Sequence, residues 1–178
     1  MSRSENNSII LVLGGARSGK SRFAESLCQA PRSYIATAQA FDEEMIRRIA
    51  QHQRERGKEW HTLEAPIDLV GALRLAKGDV LLDCLTLWLN NLLMAEKDVQ
   101  VSLDGLLAQL QTNHQKLVIV SNELGLGLVP EHGLSRRFRD LHGLMNQQVA
   151  AIADCVVFTV AGIPQVIKGR LPEPLQAR

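Results

Sequence analysis

Eight consecutive residues carry the clearest chemistry. Gly14-Gly15-Ala16-Arg17-Ser18-Gly19-Lys20-Ser21 fits the phosphate-loop pattern G-x-x-x-x-G-K-[ST]. Gly14 and Gly19 accept backbone angles closed to residues with a Cβ, so successive N–H groups can face one anion. Lys20 adds a mobile positive charge for the β and γ phosphates. The Ser21 hydroxyl is placed to ligate Mg²⁺. A second candidate is Asp83, which ends the apolar run Val80-Leu81-Leu82. A carboxylate at the carboxyl end of a parallel strand lies near the phosphate loop and can hold Mg²⁺ directly or through water. Its other reading is a cap for the helix that begins at Leu85.

His52 shares a helical stripe with Met45, Ile49 and Arg56, at steps of four, three and four. Two readings stand open. One is a core or interfacial histidine with one ring nitrogen hydrogen-bonded. The other is a neutral imidazole among Arg47, Arg48, Arg54 and Arg56 that attacks phosphorus and forms a phosphoramidate. Those guanidinium groups suit a polyanion, or simply a solvated helix face. Glu64 is placed to accept hydrogen bonds from a ribose or a guanine edge, or it is a plain surface acid. Asn122-Glu123 closes a third strand on the side where ligands bind. Arg136, Arg137 and Arg139, near the start of a long helix, meet a substrate phosphate or cover the surface.

These groups need elements to hold them. Ile9 to Leu13 is an apolar run entering the loop, and Lys20 to Gln29 is a helix leaving it, with Phe23, Ala24, Leu27 and Cys28 at helical spacing. Ser33 to Ala38 is β-prone. Asp42 to Arg56 reads as a helix with acids in its first turn, which suits the dipole. Trp60 to Glu64 reads as a strand closed by Pro66. Asp68 caps a helix running to about Lys77, with Gly78 just past it. Val80 to Asp83 is a strand, and Leu85 to Ala95 a helix. Glu96 to Val101 reads as a polar connection, and Ser102 as the cap of a helix carrying Leu103, Leu106, Leu107 and Leu110. Lys116 to Ser121 is a third buried-type strand, followed by a glycine-rich loop from Asn122 to Gly133. Ser135 to Ala153 is a long helix, and Cys155 to Val160 a fourth apolar strand. Gly162-Ile163-Pro164 reads as a turn away from the sheet. Short continuous apolar strands alternating with helices predict a parallel sheet covered on both faces. The expected fold is therefore α/β, a P-loop NTPase-like (RecA-like), mostly parallel sheet with helices on both faces.

The bulk numbers narrow the class. At 178 residues, one catalytic domain is expected over residues 9–170, between a disordered tail of residues 1–8 and a C-terminal tail of residues 171–178. A net charge of +1 gives no whole-chain signal for nucleic acid or an anionic membrane. The three cysteines, Cys28, Cys84 and Cys155, lie in or beside apolar runs with no C-x-x-C pair, which favours buried reduced thiols over a disulfide framework or zinc site. Residues 1–8 lack the apolar stretch of a signal peptide, and Asp83, Asn90 and Asn91 interrupt the most apolar run. A soluble, cytoplasmic protein is expected.

Several blocks together form a specific pattern: G-G-A-R-S-G-K-S-R-F-A-E from Gly14, Tyr34-Ile35-Ala36-Thr37-Ala38, Asp42-x-Glu44-Met45 with Arg48-Ile49-x-x-His52, Trp60-x-Thr62-x-Glu64, the Val80 to Leu85 strand, and Ser121-Asn122-Glu123-x-Gly125-x-Gly127-x-Val129-Pro130. Phe138-Arg139-Asp140, Asn146-Gln147 and Ala161-Gly162-Ile163-Pro164 complete it. The sequence resembles the bifunctional adenosylcobinamide kinase and adenosylcobinamide-phosphate guanylyltransferase family of cobalamin synthesis, from about Ile9 to Lys168. The resemblance implies two reactions. The hydroxyl of adenosylcobinamide takes the γ-phosphoryl of ATP or GTP. GTP then gives GMP to that phosphate through a guanylylated histidine, which His52 matches, releasing pyrophosphate. It also implies nucleotide contacts by Ala36, Thr37, Gln53, Arg54, Glu55, Arg56, Glu64 and Asp83, Mg²⁺ on Ser21 and Asp83, and a homo-oligomer, trimeric in better-known members. Two rival readings remain: a kinase that uses the phosphate loop alone, and a nucleotide-dependent switch.

Overall fold

Apolar runs too short to be long helices and too continuous to face water on one side become inner strands. The computed structural model describes residues 7–39, 43 and 59–172. Its strands are β1 (Ile9–Gly14), β2 (Arg32–Ala36), β3 (Trp60–Glu64), β4 (Asp79–Asp83), β5 (Leu117–Asn122), β6 (Cys155–Val160) and β7 (Ile163–Lys168). They form one sheet in the order β3-β2-β4-β5-β1-β6-β7. Every neighbouring pair is parallel except β6 and β7. The helices are α1 (Lys20–Ser26), α2 (Leu69–Leu75), α3 (Leu85–Met94), α4 (Val99–Gln111) and α5 (Gly133–Ile152).

Side chains alternate across the pleat, so each inner strand feeds two cores. Ile9, Leu11, Ile35, Leu82 and Ile119 pack with α2, α3, α4 and α5 on one face. Ile10, Val12, Tyr34, Leu81 and Val120 pack on the other with Ala24 of α1 and with Leu27 and Cys28 just past its end. Burying each Leu or Ile side chain contributes about 1.5–3 kcal/mol, which is why continuous apolar runs settle at the centre of the sheet.

Two local expectations change. The fourth helix starts earlier than Ser102, because Asp98 caps it by accepting from the Val101 N–H at 3.0 Å. Ser102 lies in its first turn and donates back to the Asp98 carbonyl at 2.7 Å. The second change is β7, a strand where a departing turn was expected. Ala161 and Gly162, at φ 51 and 80, make a two-residue turn that returns the chain antiparallel to β6. Pro164 argues against a central strand but is tolerated on an edge, which is where β7 runs. The helix expected over Asp42 to Arg56 falls almost entirely outside the described residues.

Candidate active site

The phosphate loop lies where β1 hands over to α1, and its glycines answer to steric demands. A Cβ on Gly14 would stand 2.5 Å from Ser18 Oγ and 2.7 Å from the Thr159 carbonyl oxygen. Gly19 has φ 90, the left-handed region that side chains disfavour, and a Cβ there would meet the Gly162 Cα at 3.1 Å. Arg17 also has positive φ, at 56, a strained setting for a residue with a Cβ and one that recurs at ligand clamps. Lys20 is half-buried and its ammonium donates to the Gly15 carbonyl at 3.1 Å. Ala16 and Arg17 are exposed, and Ser21 sits half-buried in the first turn of α1.

The β6–β7 turn braces this loop from beneath. The Gly162 N–H donates to the Ser18 carbonyl at 2.9 Å. Below it, Ser18 Oγ and Thr159 Oγ1 are buried without a hydrogen-bond partner among the described residues.

Asp83 ends β4 as expected. Register aligns it with Ala36 of β2 and Val120 of β5, and aligns Ala36 with Glu64 of β3. Glu64, Ala36 and Asp83 therefore occupy neighbouring rungs of one row. Ala36 and Val120 pack in the core beneath α1, so this row faces the phosphate-loop side. Strands are spaced by about 4.8 Å, which places the Asp83 strand about 10 Å from β1 and the Glu64 strand about 19 Å away. Glu64 cannot touch a phosphate seated in the loop.

The Asp83 carboxylate accepts from the Tyr34 hydroxyl at 3.0 Å. Tyr34 in turn meets the Trp60 ring edge-on, and Arg32 stacks over Trp60 at 4.4 Å. Thr37 is fully buried. Its hydroxyl accepts from the Cys84 N–H and donates to the Cys84 carbonyl, each at 2.8 Å. The hydroxyl thus clamps the β4–α3 corner, next to Asp83, with its proton and one lone pair. Burial pushes the Cys84 thiol up to about 11; the Asp83 charge adds to this, and nearby Lys20 opposes it.

Asn122 ends β5 level with Gly14, and the next residue, Glu123, donates its N–H to the Gly14 carbonyl at 3.1 Å. A buried polar cluster stands behind this corner. Thr86 Oγ1 accepts from the Asn122 N–H at 2.9 Å and lies 2.9 Å from His142 Nε2. Ser121 Oγ donates to Asn146 Oδ1 at 2.7 Å, and Asn146 Nδ2 donates to the Asn122 carbonyl at 3.0 Å. Burial lowers the His142 pKa from 6.5, with Glu123 opposing. The resemblance blocks include Ser121, Asn122 and Asn146, but nothing in the spacing joins them to Thr86 and His142. Arg136 folds back onto the Pro130 and Glu131 carbonyls, at 3.0 and 2.6 Å, and steadies the loop before α5.

His52, Gln53, Arg54, Glu55 and Arg56 lie outside the described residues, between Gln39, three residues past β2, and Glu59 before β3. For a cation, the described residues hold no group of three or more His, Cys, Asp or Glu. Ser21 and Asp83 are two hard oxygen donors, the kind of partial set that suits Mg²⁺, which keeps several waters and takes other ligands from phosphates. No described helix is long and apolar enough to cross a membrane.

Comparisons with known proteins give the family. A family model described as cobinamide kinase / cobinamide phosphate guanyltransferase matches residues 10–167. The chain is 49% identical to the bifunctional adenosylcobalamin biosynthesis protein CobP of Pseudomonas aeruginosa, over 93% of this chain and 98% of the relative. It is 42% identical to the bifunctional adenosylcobalamin biosynthesis protein CobU of Salmonella typhimurium, over 90% and 99% respectively. In shape it is similar to the P4 protein from bacteriophage phi6 in complex with ADP, with a TM-score of 0.43 and 15% identity over 89% of this chain and 53% of the other. With nearly its whole length matched, the chain belongs to the cobinamide kinase / cobinamide phosphate guanyltransferase family.

Proposed function

We propose that this enzyme phosphorylates adenosylcobinamide with ATP or GTP. It then transfers GMP from GTP to the product through a guanylylated His52, giving adenosylcobinamide-GDP and pyrophosphate. The observation that carries the reading is the phosphate loop, braced from the β6–β7 turn and sharing its sheet face with Asp83.

Lys20 leaves the Gly15 carbonyl for the β and γ phosphates, and the loop amides cradle them. Ser21 and Asp83 would hold Mg²⁺, Asp83 through water given its distance from β1. When bound with the nucleotide, the ion neutralises phosphate charge as it develops. Thr37 supports this acid indirectly, by fixing the Cys84 peptide that follows it. Glu64, too distant for the phosphate loop, and Ala36 on the neighbouring strand serve the guanosine end; Arg54 and Arg56 spread the charge that develops as pyrophosphate leaves, and Gln53 and Glu55 complete the nucleotide contacts. Covalent transfer divides one displacement into two, with His52 as the nucleophile toward the α-phosphorus. We place the enzyme in the cytoplasm as a homo-oligomer, a trimer by resemblance. Exposed Val160, Ile163 and Ile167 at the β6–β7 edge favour self-association.

Incubation with α-labelled GTP followed by denaturation tests the reading. Acid-labile, alkali-stable label is expected on the wild type and lost in His52→Ala. Lys20→Ala should depress both activities, since a charge-assisted phosphate contact is worth roughly 1.5–3 kcal/mol. An unlabelled wild type would leave a kinase alone. Nucleotide turnover indifferent to cobinamide would point to a switch.

A further inference from the structure

We propose that Glu123 is the general base of the kinase step. It takes the proton of the cobinamide hydroxyl as that oxygen attacks the γ-phosphorus. The inference rests on the kinase reading above.

Three described acids stand at or just past the carboxyl ends of parallel strands: Glu64 ends β3, Asp83 ends β4, and Glu123 directly follows β5. Strand spacing separates them. The Glu64 strand lies about 19 Å from β1, that of Asp83 about 10 Å, and β5, which Glu123 follows, about 5 Å. Asp83 already accepts the Tyr34 hydroxyl. Glu123 begins one hydrogen bond from the loop, through its N–H to the Gly14 carbonyl at 3.1 Å. Its half-buried carboxylate accepts from the Gly125 N–H at 2.6 Å through Oε1, which leaves Oε2 to accept a proton.

A base must be held within about 3 Å of the proton it takes, so its anchor matters. That anchor is the Thr86–His142–Asn146–Ser121 cluster, which pairs both the N–H and the carbonyl of Asn122. A buried network whose members satisfy one another rigidifies the backbone it binds. Immediately past Glu123, Leu126, Leu128 and Val129 are 80%, 97% and 65% exposed. An apolar shelf next to an acid suits an acceptor with a large ring system and a hydroxyl on a flexible arm.

The step balances. The hydroxyl oxygen bonds to the γ-phosphorus, the bond from that phosphorus to the bridging oxygen breaks, and nucleoside diphosphate leaves. The proton moves to Glu123 and then to water. The guanylyl step has no such need. Its acceptor is a phosphate monoester with a second pKa of about 6, already ionised at neutral pH.

The test is therefore a split between the two reactions of full-length Glu123→Gln. Glutamine keeps an oxygen for the Gly125 N–H, so the loop retains its hydrogen bond. Cobinamide phosphorylation is expected to fall by about 10²–10⁴-fold in kcat. GMP transfer to pre-formed cobinamide phosphate, measured on the same preparation, is expected to stay within about threefold of wild type, as is nucleotide affinity. Phosphorylation that survives the substitution overturns the assignment. So does an equal loss in both reactions, which would make Glu123 a support for the loop. A wild type that phosphorylates no cobinamide sinks the kinase reading itself, whatever Glu123 does.

Discussion

His142 is nearly sealed from water and hydrogen-bonded on the neutral side of its titration. Its pKa falls below 6.5 because burial disfavours the charged ring, and Glu123 offsets only part of this. As pH drops through 6.5, the unfolded chain takes up the proton while the folded chain does not. Folding stability is then lost from about pH 6.5 down to the folded pKa. Urea midpoints should fall between pH 7 and pH 5.5, and fall less in His142→Gln. An identical pH slope in both proteins would mean that the ring is not held neutral. The sequence makes Gly14, Gly19, Lys20 and Asp83 readable because their types repeat a known spacing. It hides His142, whose partners Thr86, Ser121 and Asn146 come from three different elements. The resemblance implies a nucleotide contact by Thr37; in the structure its hydroxyl pairs with the Cys84 backbone, a partnership that no spacing in the sequence announces.

At the scale of elements, β2 is tied to the β4–α3 corner by Thr37. Its N–H donates to the Asp83 carbonyl at 3.2 Å, and Asn91 of α3 donates to its carbonyl at 2.8 Å. Thr37→Val keeps the side-chain shape and strands the Cys84 N–H in a buried place, while the Cys84 carbonyl keeps the Trp88 N–H at 3.2 Å. A loss of about 1–3 kcal/mol in unfolding free energy is expected, together with weaker Mg²⁺–nucleotide binding as Asp83 loosens. Unchanged denaturation and nucleotide binding would show that the hydroxyl clamps nothing. The inner strands and most helices were legible because burial writes itself as apolar periodicity. The start of α4 was not, since Asp98 and Ser102 are both good capping residues and only the coordinates reveal which one accepts from the helix. Nor was β7, because a proline beside a glycine reads as a break until the sheet edge is known.

Over the whole molecule, the alternation of apolar strands and helices announced a parallel sheet. Its order was not announced: β5 comes late in the chain yet slots between β1 and β4, and no local pattern encodes that. This insertion separates the phosphate loop from Asp83 and brings Glu123 beside Gly14. Both sheet faces are well enough covered to bury every cysteine. Burial pushes the Cys28 thiol up to about 12 and Cys155 up to about 11, beside Cys84 at about 11; Asp79, Asp154 and Asp83 respectively add to it. Thiolate is the reactive form, so the native protein should resist iodoacetamide at pH 8. All three thiols should alkylate once it is denatured. Rapid labelling of the native protein, seen by mass spectrometry, would contradict this picture of the interior.

The outer border of β7 carries backbone groups that no described strand completes, and all six of its residues are exposed. Three features spoil it as a template. Pro164 removes an amide donor, the register slips at Val156/Val157, and Lys168 draws the strand's end toward the Ala150 and Ala151 carbonyls. Freshly made copies crowded together thus find a poor seam for zipping into fibrils, and the border can stay uncovered while the polypeptide matures.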